Sequence, residues 1–220
     1  MYNQLPHQVD AARFIAGGMA RSVRAATWDL DPARHTEGSY TAFLDFEGGA
    51  VATLTYSGYD HFDSTELSSG HPRKDAGSYG ATRRALRAAR SPEDEMAMRV
   101  ETGYGGGRPV RPSSSSSLLQ GELGSFIVTC ELADLRMLSD GVGVYSTDGF
   151  DLVAPDPWRG HQGRGAVMVE LYYAIMENRP PVHDGYWAKA TMEVCLAMLE
   201  SARAQSEIAL RHQVPLTSNN

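Results

Sequence analysis

Asn3 and His7 stand four residues apart in the opening stretch Tyr2-Asn3-Gln4-Leu5-Pro6-His7-Gln8-Val9-Asp10. On a helix that spacing sets one side chain above the other. An asparagine carbonyl can accept from one imidazole nitrogen and so fix the tautomer. The second nitrogen is then free to exchange a proton with a substrate hydroxyl. Spacing alone leaves another reading open, in which His7 is a cap or surface residue. Asp10 and Arg13, an i, i+3 pair, read as structural. His161 lies between Arg159 and Arg164 in a glycine-rich loop and faces either a substrate or solvent. His61 sits with Asp60 and Asp63, but no second ligand pair stands at a recognised spacing, so no metal is expected. No Ser-His-acid or Cys-His grouping is legible, which leaves covalent hydrolysis without support.

The helix that would carry His7 is written in Leu5, Val9, Ala12 and Ile15, with Pro6 in its first turn and Gly17-Gly18 as its stop. Residues 39–46 and 50–56 are β-rich runs joined by Glu47-Gly48-Gly49, a hairpin signal. Further short strands are predicted at 125–130, 134–138, 143–146 and 150–153, with a turn at Asp140-Gly141. A helix over 167–177 stops before Pro180-Pro181, and a longer one begins at Asp184 or Gly185, with Asp184 as its N-cap. In that second helix Met192, Val194, Cys195, Met198, Leu199 and Ala202 recur at helical spacing and read as core. A last short strand is expected at 207–210.

These elements predict an α+β fold: an open-faced, mostly antiparallel sheet with helices on one face. The chain reads as one domain over 1–220, with an insertion at about 66–117. That interval holds a predicted helix at 82–90, the triplet Gly105-Gly106-Gly107 and five serines from Ser113 to Ser117. No G-x-G-x-x-G follows a strand, and the glycine triplet lacks the flanking strand and helix that a pyrophosphate needs. No Rossmann domain is therefore expected in this chain.

A net charge of −7 argues against a nucleic-acid partner. No apolar run reaches the length of a bilayer, and the polar N-terminus lacks a signal pattern. Cys130 and Cys195, far apart in apolar contexts, read as buried thiols rather than a disulfide, which fits a cytoplasmic protein. Arg73, Lys74, Arg83, Arg84, Arg87 and Arg90 cluster in the inserted interval. They form either a solvated face or the binding surface for an anion. Helical spacing would put Arg83, Arg87 and Arg90 together.

From Asn3 to Gly18 the sequence resembles the opening of the C-terminal domain in the glucose–fructose oxidoreductase / inositol dehydrogenase (Gfo/Idh/MocA) family. There an Asp-x-x-x-His-x-x-Asp run precedes an Arg and a helix-ending Gly. His7 and Asp10 match, while Asn3 stands where the first Asp is usual. A neutral amide there orients the ring without stabilising an imidazolium. The segments 59–64, 130–136 and 182–201 are similar to the branch that includes phthalate dihydrodiol dehydrogenases. The resemblance implies a separate Rossmann domain that binds NAD or NADP, and a C-terminal half that supplies the histidine and a homo-oligomer surface on the sheet. It implies oxidation of a small hydroxyl-bearing substrate, such as a carboxylated cis-dihydrodiol, with His7 as proton acceptor and Asn3 as its partner. Arg83, Arg87, Arg159, Arg164 and His161 are then the candidates for holding carboxylates, since arginine matches them with paired donors. The competing expectation is a non-catalytic module that dimerises or binds a small anion.

Overall fold

The computed structural model describes residues 4–31, 38–59, 61, 66, 79–102, 124–138, 140–154 and 164–216. In chain order the first elements are α1 (Leu5–Ile15), β1 (Ala20–Trp28), β2 (Ser39–Phe46), β3 (Val51–Ser57), α2 (Ala81–Ala88) and α3 (Pro92–Thr102). There follow β4 (Ile127–Thr129), β5 (Ala133–Met137), β6 (Val142–Ser146), β7 (Gly149–Val153), α4 (Arg164–Met176), α5 (Gly185–Ala204) and β8 (Ile208–Ala209). They fall into two compact units, one built from residues 1–58 and 157–220 and the other from 59–156. Among the described residues every strand pair is antiparallel, but the strands form two four-stranded sheets, β3-β2-β1-β8 and β4-β5-β6-β7.

In the first unit, β2 behaves as its alternation predicts. Tyr40, Ala42, Leu44 and Phe46 are buried, while Thr41 and Phe43 face out. The Gly48-Gly49 turn to β3 uses φ of 82° and 89°, which favours glycine at both positions. Strand β1 is the element that periodicity does not announce. It pairs with β2 from Ala20↔Phe46 to Trp28↔Ser39, with an irregularity between Ala20 and Ser22. That irregularity leaves Ser22 and Val23 both buried and breaks the two-residue rhythm. β8 joins the free edge of β1 through Ser22↔Ala209 and Val23↔Ile208.

Helices α1 and α5 bury Leu5, Val9, Ala12, Val194, Cys195, Ala197 and Met198 in the same core as the sheet's inward side chains. Ser201 is fully buried within it and satisfied on both counts: it accepts from the Ala25 backbone N–H at 2.8 Å and donates to the Ser206 carbonyl at 2.6 Å. Asp184 caps α5 as expected, its Oδ1 accepting from the Trp187 backbone N–H at 2.7 Å. Met198 is core, whereas Met192 lies at the surface. The outer side of the sheet stays open, with Thr41, Phe43, Val51, Thr53 and Thr55 exposed.

The second unit holds a four-stranded meander in which β5 pairs β4 and β6, and β6 pairs β7. Its α2 agrees with the helix expected at 82–90. Helix α3 follows a local start signal: Ser91 Oγ accepts from the Asp94 backbone N–H at 3.2 Å, and Glu93, Asp94 and Glu95 fill the first turn. Cys130, expected inside, is instead exposed just past β4, while Cys195 is buried. The neighbours of Cys130, namely Ile127, Thr129, Glu131 and Leu132, are exposed as well, so nothing around it is packed inside. Among the described residues, no helix is long and apolar enough to cross a membrane.

Candidate active site

His7 sits in the first turn of α1, where Pro6 is placed without loss because a first-turn N–H has no helical partner. Its backbone N–H donates to the Gln4 carbonyl at 3.1 Å, and its side chain is exposed. The opposite face of the helix carries Leu5, Val9 and Ala12 into the core, so burial aims His7 outward. Gln8, the next residue, accepts from the Tyr40 hydroxyl at 2.5 Å and ties the helix to β2. Burial pushes the Tyr40 phenol well above its ordinary range, which keeps it a donor to that amide. Asn3 lies outside the described residues, as does its expected bond to His7.

The next two turns of α1 are fixed by polar contacts across to α5. Asp10 Oδ1 accepts from Trp187 Nε1 at 2.5 Å and from the Thr191 hydroxyl at 3.2 Å. Arg13 is fully buried and stacks over the Trp187 ring with its guanidinium carbon 4.0 Å from the centroid. Its donors reach Gln213 Oε1 at 2.9 Å, the Trp187 carbonyl at 3.1 Å, Thr191 Oγ1 at 2.7 Å and the Val214 carbonyl at 3.4 Å. Burial lowers the guanidinium from its ordinary value, and Asp10 and Glu193 oppose that shift. The pair read as structural from its spacing is structural, but each member works through α5.

One further group belongs to this surface. His183, in the loop before α5, lies 3.7 Å from Asp10 and 3.3 Å from Glu170 of α4. Sequence reasoning passed over it as an active-site residue because Glu170 and His183 are thirteen positions apart. Their only local signal was the Val182-His183-Asp184-Gly185 segment.

The anion-binding candidates divide. Arg83 and Arg87 belong to α2 in the second unit, while His7 belongs to the first. Arg83 is half-buried, its guanidinium 5.0 Å from the centre of the Tyr59 ring, and Arg87 is exposed. Arg164 opens α4, while Arg159 and His161 lie outside the described residues. His61 is exposed, with Asp60 and Asp63 outside the described residues. Among the described residues no group of three or more His, Cys, Asp or Glu could hold a metal. Nor do they fit a dinucleotide: all described strand pairs are antiparallel, and the described glycines frame no strand-to-helix phosphate turn. Two open grooves on the first unit run along α5, one of them bordered by β8, and His7 lines neither.

Residues 1–69 match the family described as GFO/IDH/MocA C-terminal domain. Over 215 residues the chain is 32% identical to the 1-carboxy-3-chloro-3,4-dihydroxycyclohexa-1,5-diene dehydrogenase of Comamonas testosteroni, covering 93% of this chain and 52% of that one. A crystal structure of a Bordetella bronchiseptica protein assigned as a dehydrogenase superposes with a TM-score of 0.78 at 40% identity, over 94% of this chain and 54% of that one. The WlbA dehydrogenase of Bordetella pertussis, solved with NADH and UDP-GlcNAcA, shares the fold at a TM-score of 0.52 and 15% identity, over 94% and 44% of the two chains. The chain thus spans about half the length of the relatives it matches.

Proposed function

We propose that the chain, whose residues 1–69 match the GFO/IDH/MocA C-terminal domain, is that family's C-terminal domain and the substrate-side half of an NAD(P)-dependent dehydrogenase. Its substrate is a small molecule with a carbinol carbon, of the carboxylated cis-dihydrodiol class. Support for that class comes from the 32% identity to a dehydrogenase whose own name describes a carboxylated dihydroxycyclohexadiene. His7 takes the hydroxyl proton, and Asn3 orients its ring. The nicotinamide, when bound, accepts the hydride, and it is held by a part of the enzyme outside the described residues.

The observation that carries the mechanism is an exposed imidazole on a helix that is itself held rigidly. Leu5, Val9 and Ala12 anchor α1 below, and Asp10 and Arg13 lock it sideways to Trp187 and Thr191. A general base needs that fixed position more than it needs burial. Arg83, Arg87, Arg159, Arg164 and His161 are proposed to bind the substrate's carboxylates. The domain is read as one unit of function over 1–220, with an insertion at about 66–117. The open sheet face, where Phe43 and Val51 are exposed, is proposed as a homo-oligomer surface in a cytoplasmic enzyme.

The test is His7→Ala in the complete polypeptide, assayed by nicotinamide reduction with a carboxylated cis-dihydrodiol. Turnover should fall by roughly two to four orders of magnitude, the range for losing a general base. Turnover equal to the parent enzyme removes His7 from the mechanism.

A further inference from the structure

A chain of contacts from α4 to α1 passes through His183, which the reaction proposed above does not use. Its Nδ1 lies 3.3 Å from Glu170 Oε2, and its Nε2 lies 3.7 Å from Asp10 Oδ2. Glu170 also accepts, on Oε1, the backbone N–H of Val182 at 2.7 Å and that of His183 at 3.4 Å. One carboxylate therefore anchors both the loop and the ring it carries. Phe14 lies nearly parallel to the imidazole, 8° apart at 6.5 Å between centroids, and Trp187 meets it edge-on at 6.4 Å.

A neutral imidazole carries one N–H and an imidazolium carries two. Nδ1 lies within hydrogen-bond distance of the Glu170 carboxylate and Nε2 within ion-pair distance of the Asp10 carboxylate, so a protonated ring pairs with both. The charged groups around it are Asp10 on α1, Glu170 on α4 and its neighbour Asp184, whose Oδ1 is engaged by the Trp187 N–H. Arg13 lies over the same Trp187 ring that the imidazole meets edge-on. His7 is exposed on the helix that carries Asp10, and the i, i+3 spacing makes the two side chains neighbours. A charge at His183 would therefore offset the Asp10 carboxylate in the net field at His7.

We infer that His183 is a positioning residue for His7: held by Glu170, its imidazolium offsets the Asp10 carboxylate that neighbours the proton acceptor. The inference rests on the reading of His7 given above. It gives His183→Gln a defined signature. Removing one charge several ångströms away through wet surface should move the acidic limb of the pH–rate profile up by about half a unit. KM should hold, and His183→Lys should restore the parent profile because it restores the charge. In Glu170→Gln, which keeps an acceptor for the loop amides, the lost negative charge acts against the loosened imidazolium, so the limb should move by less than in His183→Gln.

The experiment has two arms. Kinetics on the complete polypeptide compare the parent, His183→Gln, His183→Lys and Glu170→Gln across about pH 5 to 9, the imidazole range. NMR on the present chain follows the His7 ring over the same range without any turnover. An upward move of the His7 midpoint in His183→Gln supports the coupling even if His7→Ala leaves turnover intact, in which case only the proton-acceptor reading falls. An unmoved His7 midpoint overturns the inference, as does a loss of activity in His183→Gln that His183→Lys does not restore.

Discussion

Cys195 and Cys130 show how far a residue's chemistry follows from its surroundings. Burial pushes the Cys195 thiol up to about 12, and no solvent reaches it. Cys130 is exposed. Alkylation of the native chain with iodoacetamide near about pH 8 should therefore label Cys130 and spare Cys195 until denaturant is added. Peptide mass mapping checks this, and native labelling of Cys195 would contradict the packing of α5. Both thiols sit in apolar sequence, so composition offered no way to separate them; which one faces the core is decided by packing across the chain. The same limit applies around His7. Its helix and the Asp184 cap were legible because they rest on spacings within two turns. The hold of Arg13 on Gln213 and Val214 spans 200 and 201 positions, and no local pattern encodes it.

At the scale of elements, the segment after β8 works as a strap that fastens α1. Leu216 donates its backbone N–H to the Gly17 carbonyl at 2.9 Å, and the chain passes tightly over Gly18. A Cβ on Gly18 would stand 2.6 Å from the Val214 carbonyl oxygen and 2.9 Å from the Leu216 nitrogen, at a φ of +96°. Gly17 has a φ of +86° but nothing within 4 Å. Gly17→Ala should cost about 1 kcal/mol from backbone conformation alone, whereas Gly18→Ala should cost more and loosen the strap. Thermal denaturation of the two variants tests the order, and equal costs would deny the close approach. Glu193 holds the strap from the α5 side, accepting from the Arg211 and His212 backbone N–H groups at 2.7 and 2.9 Å and from Gln213 at 2.8 Å. Partial burial raises its carboxyl, but those bonds outweigh it and leave it below the ordinary range. A lowered folded value means that the stabilisation is fully present above the unfolded glutamate value, near about pH 4.3. It is lost as pH falls through the lower folded value. Protection of the Arg211 and His212 amides against hydrogen exchange, taken relative to the unfolded chain at each pH, should fall over that acidic window in the parent and show no such step in Glu193→Gln. Strand β1 escaped the sequence reading because its irregularity breaks alternation, while the hairpin beside it was plain from two glycines.

For the whole molecule, the same glycine inventory makes a sharp claim about the cofactor. With no strand-to-helix phosphate turn among the described residues, the present chain should not bind NADH or NADPH at micromolar levels. A fluorescence titration that saturates in that range would overturn the division of labour proposed here. The α+β class and the antiparallel order were visible in advance from short strands and polar turns. The separation into two sheets was not, because pairing partners are chosen across the chain rather than along it. That separation bears on biosynthesis. The first unit is assembled from residues 1–58 and 157–220, with the second unit's segment, 59–156, lying between them in sequence. On the ribosome, α1 and the β1–β3 hairpins emerge before Trp187, Thr191 and Gln213 exist to receive Asp10 and Arg13. At roughly 5–20 residues per second, that wait lasts on the order of ten seconds or more. Through it, Arg13 and the inner face of β2 have no native partners from α5 or the strap. A nascent chain stalled before α5 should therefore be a substrate for chaperones, and release should come only once the strap is made.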